Sequence, residues 1–376
     1  MSSGEYDNYL NKEREPYRKT GKSGSSFAKK IVKFLCYVLC AILGLGTGVI
    51  VYIYRLMGAV GFVNTPFVSK RQYETIDFAN LDDVDPEQVS VSWAEGGHTR
   101  VYVNENYPIK KISQKDPKVE NILVFGVDSR GTNDVTCRAD AILVVSIDHR
   151  QDKLKMISLM RDTGVKIEGR SSVDKLTHSY AYGGVGLLIN TINDNFGLDI
   201  QRFVMLDFGS SSNLIDLVGG VDILVSANEV KYANHSINEE NMLLGTNVPL
   251  LTHEGMQTLC GVQATSWARI RKLDSDYVRS SRQRTLAIAL VKKVGDLGRL
   301  EQTALLEDSI GMFETNMNAL DMMRIALSAV EVLGTVDEYR APCDGMFTVQ
   351  QDPWIMFVDW DAQIPDLHEF IWGETK

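Results

Sequence analysis

The apolar positions of the chain fall into three patterns. The first is one unbroken run, Phe34–Tyr54, of 21 residues without a charge. As a helix it spans roughly 30 Å, the thickness of a bilayer's hydrocarbon core. Lys29, Lys30 and Lys33 crowd its near side and only Arg55 follows immediately, a bias that puts the amino terminus in the cytoplasm and the rest outside. A cleaved signal peptide would have a shorter core and a small-x-small site close behind it. The expectation is therefore a retained transmembrane helix over 31–55, in contact with the lipid bilayer, behind a disordered cytoplasmic tail over 1–30.

The second pattern is short apolar strands. Alternation in Val89–Trp93 and Thr99–Val103 around Gly96-Gly97 suggests a β hairpin, and residues 56–118 read as an extracellular stalk or small accessory segment. Asn121–Val127 and Ala141–Ile147 are nearly continuous apolar strands, and Lys153–Met160 is a third, joined to the second by the polar turn Asp148–Asp152. Phe203–Phe208 and Val221–Val225 are further strands. The third pattern is helical: Leu187, Leu188, Ile192 and Phe196 within 184–196, then 211–217, 254–269, 280–297, 302–311 and 318–333. Strands buried on both faces and interleaved with helices give an α/β domain over 119–334, a mixed central sheet flanked by helices. Residues 335–376 add an extension packed on that domain, with an edge strand and a short helix near Leu367–Trp372.

Charge changes the picture locally. The net charge of −10, from 49 acidic and 39 basic side chains, argues against nucleic acid as a partner. Yet polar residues cluster where strands and helices end: Asp128-Ser129-Arg130, Arg138-Ala139-Asp140, Arg161-Asp162-Thr163, Asp174-Lys175, Arg269-Ile270-Arg271, and then Asp276, Arg279, Arg282, Gln283 and Arg284. Strand ends are where α/β proteins place ligands. Arg279, Arg282, Gln283 and Leu286 have helical offsets 0, 3, 4 and 7, so the polar three should project together near a helix amino end, a favourable place for phosphate. Leu286 and Leu290 continue the stripe as apolar wall. Asp128 and Asp140 suit a hard cation such as Mg²⁺ alongside phosphate oxygens. Surface ion pairs account for any single Arg–Asp pair, though less well for the set. Asp148, Arg150 and Asp152 read as a solvated turn, and Arg324 and Arg340 as ungrouped.

Other chemistries lack their signatures. There is no phosphate-binding Gly-x-x-x-x-Gly-Lys-Ser/Thr loop, no Gly-x-Gly-x-x-Gly after a strand and no Gly-x-Ser-x-Gly elbow. Asp207-Phe208-Gly209 reads as a strand end, and the six histidines have no zinc spacing, only His178 lying beside the basic cluster. Five cysteines are too few for a disulfide scaffold. Cys260 and Cys343 are a candidate pair, although buried, reduced thiols are expected for Cys137, Cys260 and Cys343.

Residues 121 to about 295 resemble the LytR–CpsA–Psr family of cell-envelope glycopolymer phosphotransferases. The resemblance rests on NILVFGVDSRG (121–131), CRAD (137–140), SLMRDTGVKI (158–167), VDKLTHSYAYGG (173–184), DFGSSSNLIDLVGGVDI (207–223), LTHEGMQTLCGVQATSWARIR (251–271) and DYVRSSRQR (276–284), in the family's order. It implies transfer of an anionic or capsular glycopolymer from an undecaprenyl-pyrophosphate carrier to peptidoglycan through a phosphodiester, with Mg²⁺ and an apolar pocket for the prenyl tail. By the same resemblance Asp128 and Asp140 match the metal-associated aspartates. Arg138, Arg161, Arg269, Arg271, Arg279 and Gln283 match the pyrophosphate-gripping residues, and Lys175 and Asp276 further polar positions of the site. Ala139, Met160, Trp267 and His178 depart from the commonest family residues without removing a charged candidate. A polyprenyl-pyrophosphate hydrolase and a non-catalytic envelope regulator are the alternatives.

Overall fold

The computed structural model describes residues 61–62, 107–127, 138–271, 273, 276–309, 312–332 and 336–373. The expected tail, the membrane helix, the hairpin of 89–103, Asp128 and Cys137 lie outside them. Among the described residues no helix is long and apolar enough to cross a membrane.

The centre is a mixed seven-stranded sheet in the order β1-β10-β7-β2-β3-β4-β11. These strands are β1 (Gly61–Phe62), β2 (Val119–Val127), β3 (Ala139–Asp148), β4 (Lys153–Leu159), β7 (Arg202–Asp207), β10 (Glu314–Thr315) and β11 (Val336–Ala341). β2, β3 and β4 are antiparallel neighbours, whereas β7 runs parallel to β2 and β11 parallel to β4. Their alternation feeds two layers. Leu123, Phe125, Ile142, Val144 and Ile157 join one core with α1 (Leu176–Phe196) and α8 (Trp360–Trp372). Val124, Leu143, Val145 and Met156 face the other way, towards α2 (Phe208–Leu217), α4 (Gly261–Ala268) and α5 (Asp276–Gly295). Burial on both faces is why these strands read as near-continuous apolar runs.

Several expectations change. The stretch expected as one helix over 254–269 is β9 (Gly255–Leu259), paired with β8 (Val221–Val225), and then α4. Gly255 at φ 106° opens that strand, and Cys260 with Gln263 forms a capping box that starts the helix afresh. Gly261 is required at the join, since a Cβ there would lie 2.0 Å from the Ser212 carbonyl oxygen. The helix expected from 184 begins at Leu176, with non-helical torsions at Gly183 and Gly184 inside it. An unexpected helix, α3 (Ala227–Leu244), is polar over most of its surface. The short pair β5 (Gly164–Lys166) and β6 (Val173–Lys175), and the hairpin of β12 (Phe347–Gln351) and β13 (Trp354–Val358), are also additions. The last helices before the edge strand are α6 (Arg299–Ser309) and α7 (Ala319–Glu331).

Two charged groups, one expected in a solvated turn and one expected to be ungrouped, are in fact built in. Asp148 is fully buried, accepts from Arg150 Nε and Nη2 at 2.9 and 2.8 Å and pairs with buried Lys155 at 3.0 Å, so it belongs to no solvated turn. Arg324 grips Glu120 through two nitrogens, with Arg202 3.0 Å from the same carboxylate. Cys260 and Cys343 are free, half-buried thiols and not a pair. Residues 108–110 lie against α1, where Asn190 exchanges hydrogen bonds with Lys110 N and Pro108 O.

Candidate functional site

The site grows from a defect in the sheet. Gly126 pairs with Ala141 but Val127 pairs with Ala139, so Asp140 is the extra residue of a β-bulge. The bulge turns its carboxylate to the face lined by α2, α4 and α5. Arg161 follows the end of neighbouring β4 and donates through Nη1 to Asp140 Oδ1 at 2.6 Å. Arg271, just beyond α4 and half-exposed, donates to Asp140 Oδ2 at 3.0 Å.

Asp276 opens α5, where an acidic side chain suits the helix dipole. It lies 3.4 Å from Arg161 Nε and against Arg279 Nη2. Lys175, at the end of β6, reaches Asp162 at 3.5 Å, and Asp162 stands equally far from Arg161 Nε. Asp140, Arg161, Asp162, Lys175, Arg271, Asp276 and Arg279 thus form one network drawn from four separate parts of the chain. The Nε atoms of Arg161 and Arg279 are buried without a hydrogen-bond acceptor among the described residues.

Burial and crowding shift these groups. Burial pushes the Asp140 carboxyl up, but Arg161, Arg271 and Arg279 outweigh it and hold the group below its ordinary value. Asp276 goes the other way: burial dominates, and Asp162 and Asp140 add repulsion that Arg279 and Arg161 do not cancel. Burial and the neighbouring Arg161 lower Arg279. Arg161, despite its burial, is raised by Asp140, Asp276 and Asp162.

Next to this network a cavity of about 360 Å³ runs between the sheet and the helices. Its polar mouth carries Asp140, Arg269, Arg271, Arg279 and Gln283, and its wall carries Leu143, Val145, Met156, Leu214, Leu286 and Leu290. The stripe expected on α5 is present in Arg279, Gln283, Leu286 and Leu290. Arg282 leaves it: buried on the other side, it donates to Glu229 at 2.6 Å and to the Ile270 carbonyl. The offset of three residues from Arg279 turns it towards α3, whose Glu229 the sequence reading did not foresee.

Arg138 directly precedes β3, half-buried, and is not part of the cavity lining. Arg269 lines the mouth with its guanidinium 4.4 Å from the Phe208 ring centre and Nη1 2.7 Å from Glu240 Oε1. His178 belongs to a separate buried cluster, its Nδ1 2.7 Å from Asp174 and Tyr182 donating to the same carboxylate. Among the described residues no group of three or more His, Cys, Asp or Glu converges on a point.

Asp207, Phe208, Glu229 and Glu240 were not foreseen as parts of this region, and Asp162, though within the polar cluster read from the sequence, was given no role there. Asp162 adjoins Arg161 in sequence, and that adjacency was the available signal. Asp207 closes β7 as expected and caps α2 by accepting from Ser210 N, at the cavity edge.

Comparison with known proteins matches residues 91–351 to the LytR_cpsA_psr family. A curated relative, "Polyisoprenyl-teichoic acid--peptidoglycan teichoic acid transferase TagU" of Halalkalibacterium halodurans, is 29% identical over 53% of this chain. The match spans 60% of that relative's length, less than two thirds. The corresponding transferase TagT of Bacillus subtilis is 27% identical over 58% of this chain and 71% of its own. Among solved structures, TagT bound to LI-WTA shares the fold with a TM-score of 0.56 and 22% identity, over 72% of this chain and 99% of that one.

Proposed function

Because the chain belongs to the LytR–CpsA–Psr family, we propose that it transfers a glycopolymer from an undecaprenyl-pyrophosphate carrier to peptidoglycan. One observation carries the reading: a mouth lined by Arg269, Arg271 and Arg279 is continuous with an apolar cavity. That combination suits an amphiphile whose charged head adjoins hydrocarbon. The relatives named as polyisoprenyl-teichoic acid–peptidoglycan transferases support the same substrate class.

The prenyl chain lies along Leu286, Leu290, Leu143 and Met156, leaving the pyrophosphate at Arg269, Arg271, Arg279 and Gln283. Arg161, with Lys175 sharing Asp162 with it, adds cationic charge at the outer rim. Asp276 takes the proton of the acceptor hydroxyl, a role suited to a carboxylate raised by burial. The hydroxyl oxygen bonds to the sugar-linked phosphorus as the bond from that phosphorus to the bridging oxygen breaks, and polyprenyl phosphate leaves. Arg161 and Arg279 stabilise the charge that develops on the phosphoryl oxygens.

Mg²⁺ requires one or two hard carboxylates besides phosphate oxygens. Asp140, kept ionised by its arginines, fits the first, and Asp128 is the second candidate. The ion would supply charge neutralisation between the two phosphates. A single anchor over 31–55 would hold the domain at the outer face of the membrane, supported by the uncharged run and its lysine flank.

The test combines a lipid-linked glycopolymer, Mg²⁺ and peptidoglycan oligomers. Wild-type protein yields polymer joined to the oligomer, and Arg161→Ala and Arg269→Ala abolish it. Free polymer without the joined product would select a hydrolase instead, and tight carrier binding without turnover a regulator.

A further inference from the structure

α3 carries two carboxylates, Glu229 half-buried and Glu240 buried, that the transfer chemistry leaves without a role. Glu229 and Glu240 are eleven residues apart, three turns, and so lie on one face of the helix. Between them on that face Ala233 and Ile237 are completely buried. Glu229 has local work: it forms the capping box with Ser226 and also accepts from Arg282. Glu240 stands near the carboxyl end of α3, where the helix dipole disfavours an acid. It is only 6% exposed. What it meets there is Arg269 Nη1, at 2.7 Å.

We infer that Glu240 is the positioning residue for Arg269, fixing its guanidinium at the cavity mouth between a carboxylate and the Phe208 ring. Arg269 sits at the carboxyl end of α4, on the last residue with helical torsions, and a long side chain there has many rotamers. A buried carboxylate on one edge and an aromatic face beneath restrict it before any ligand arrives. A guanidinium offers five N–H groups in a planar fork, so one edge given to Glu240 does not exhaust it. α3, which contributes no residue to the cavity lining, thereby becomes part of the phosphate site.

The inference rests on reading the cavity mouth as a pyrophosphate site, and the experiment separates the two. Geranylgeranyl pyrophosphate binding is measured by calorimetry on the full chain in detergent, for wild type, Arg269→Ala, Glu240→Ala, Glu240→Gln and the double variant Glu240→Ala/Arg269→Ala. Glu240→Ala should weaken binding about tenfold, the size of one charge-assisted hydrogen bond. Glu240→Gln keeps an oxygen acceptor in place and should recover most of the loss. In the Arg269→Ala background Glu240→Ala should cost nothing further, because a positioning residue has no effect once its client is gone. An equal loss in both backgrounds overturns the inference, since it marks a general structural role. Tighter binding by Glu240→Ala also overturns it, since the carboxylate then competes with the ligand. If Arg269→Ala itself binds as wild type does, the pyrophosphate reading fails.

Discussion

β3 carries an aspartate near each end, Asp140 and Asp148, and the two are employed in opposite ways. Asp148 is fully buried and saturated: Arg150 donates from its backbone, Nε and Nη2, and Lys155 adds a fourth donor. Lys155 in turn donates to the Ile371 carbonyl, tying the sheet to α8. Asp140 also meets two cations, but its surroundings are unfinished: among the described residues Nε of Arg161 and of Arg279 makes no hydrogen bond, and a cavity lies alongside. Charge density does not tell a structural ion cluster from a binding site. Unsatisfied donors beside accessible space do.

The largest expected effect tests the closed end. Asp148→Ala leaves Lys155 buried and unpaired and should cost about 3–5 kcal/mol of stability, read by urea unfolding, with transfer per folded molecule retained. At the open end the signs exchange. Arg279→Ala should lower transfer about 10²–10³-fold while shifting stability by less than about 1 kcal/mol, because it also removes repulsion from Arg161. If Arg279→Ala destabilised the fold as much as Asp148→Ala does, the contrast between the ends would collapse.

A smaller effect sharpens the role of the cavity. Leu290→Trp adds volume where the wall is not closed, so the overpacking cost of about 1–3 kcal/mol in a filled core should be largely absent. Carrier binding should nevertheless fall at least tenfold, measured with a labelled prenyl pyrophosphate. Retained binding would mean that the hydrocarbon lies elsewhere.

How far these features could be read in advance differs between the two faces of the sheet. The α5 stripe of Arg279, Gln283, Leu286 and Leu290 is visible because one helix carries it and period alone places it. The strands β2, β3, β7 and β8 are visible for the same reason: their signal is local. α3 is not, because among its described side chains only Ala233 and Ile237 are fully buried and a single apolar turn is too little for a periodicity. β9 failed because Met256, an exposed apolar residue at 66%, imitates a helical position. At the site, sequence pointed to the charged residues but not to their partners. Arg282 was assigned to the wrong side because its partner Glu229 is 53 residues away in the chain, and Glu240 was missed for the same reason. Ion pairing across the fold leaves no trace in spacing.

The smallest effect concerns proton uptake, and again the two clusters should differ in sign. Asp148 is held well below the usual carboxylate range: burial opposes this, but Arg150 and Lys155 prevail. Its contribution to stability is therefore present above the ordinary carboxyl pKa and is lost as pH falls through the folded value. Asp276 is raised, so its contribution is fully present below the ordinary value and is lost as pH rises through the folded one. Asp276→Asn should consequently make the protein slightly more stable at neutral pH, by less than about 1 kcal/mol given the partial exposure of the group. It should also remove the acid limb of the transfer-rate profile, which in the wild type is displaced upward from the ordinary aspartate value. An acid limb unchanged in Asp276→Asn would assign the acceptor's proton to another group while leaving the arginine mouth as it stands.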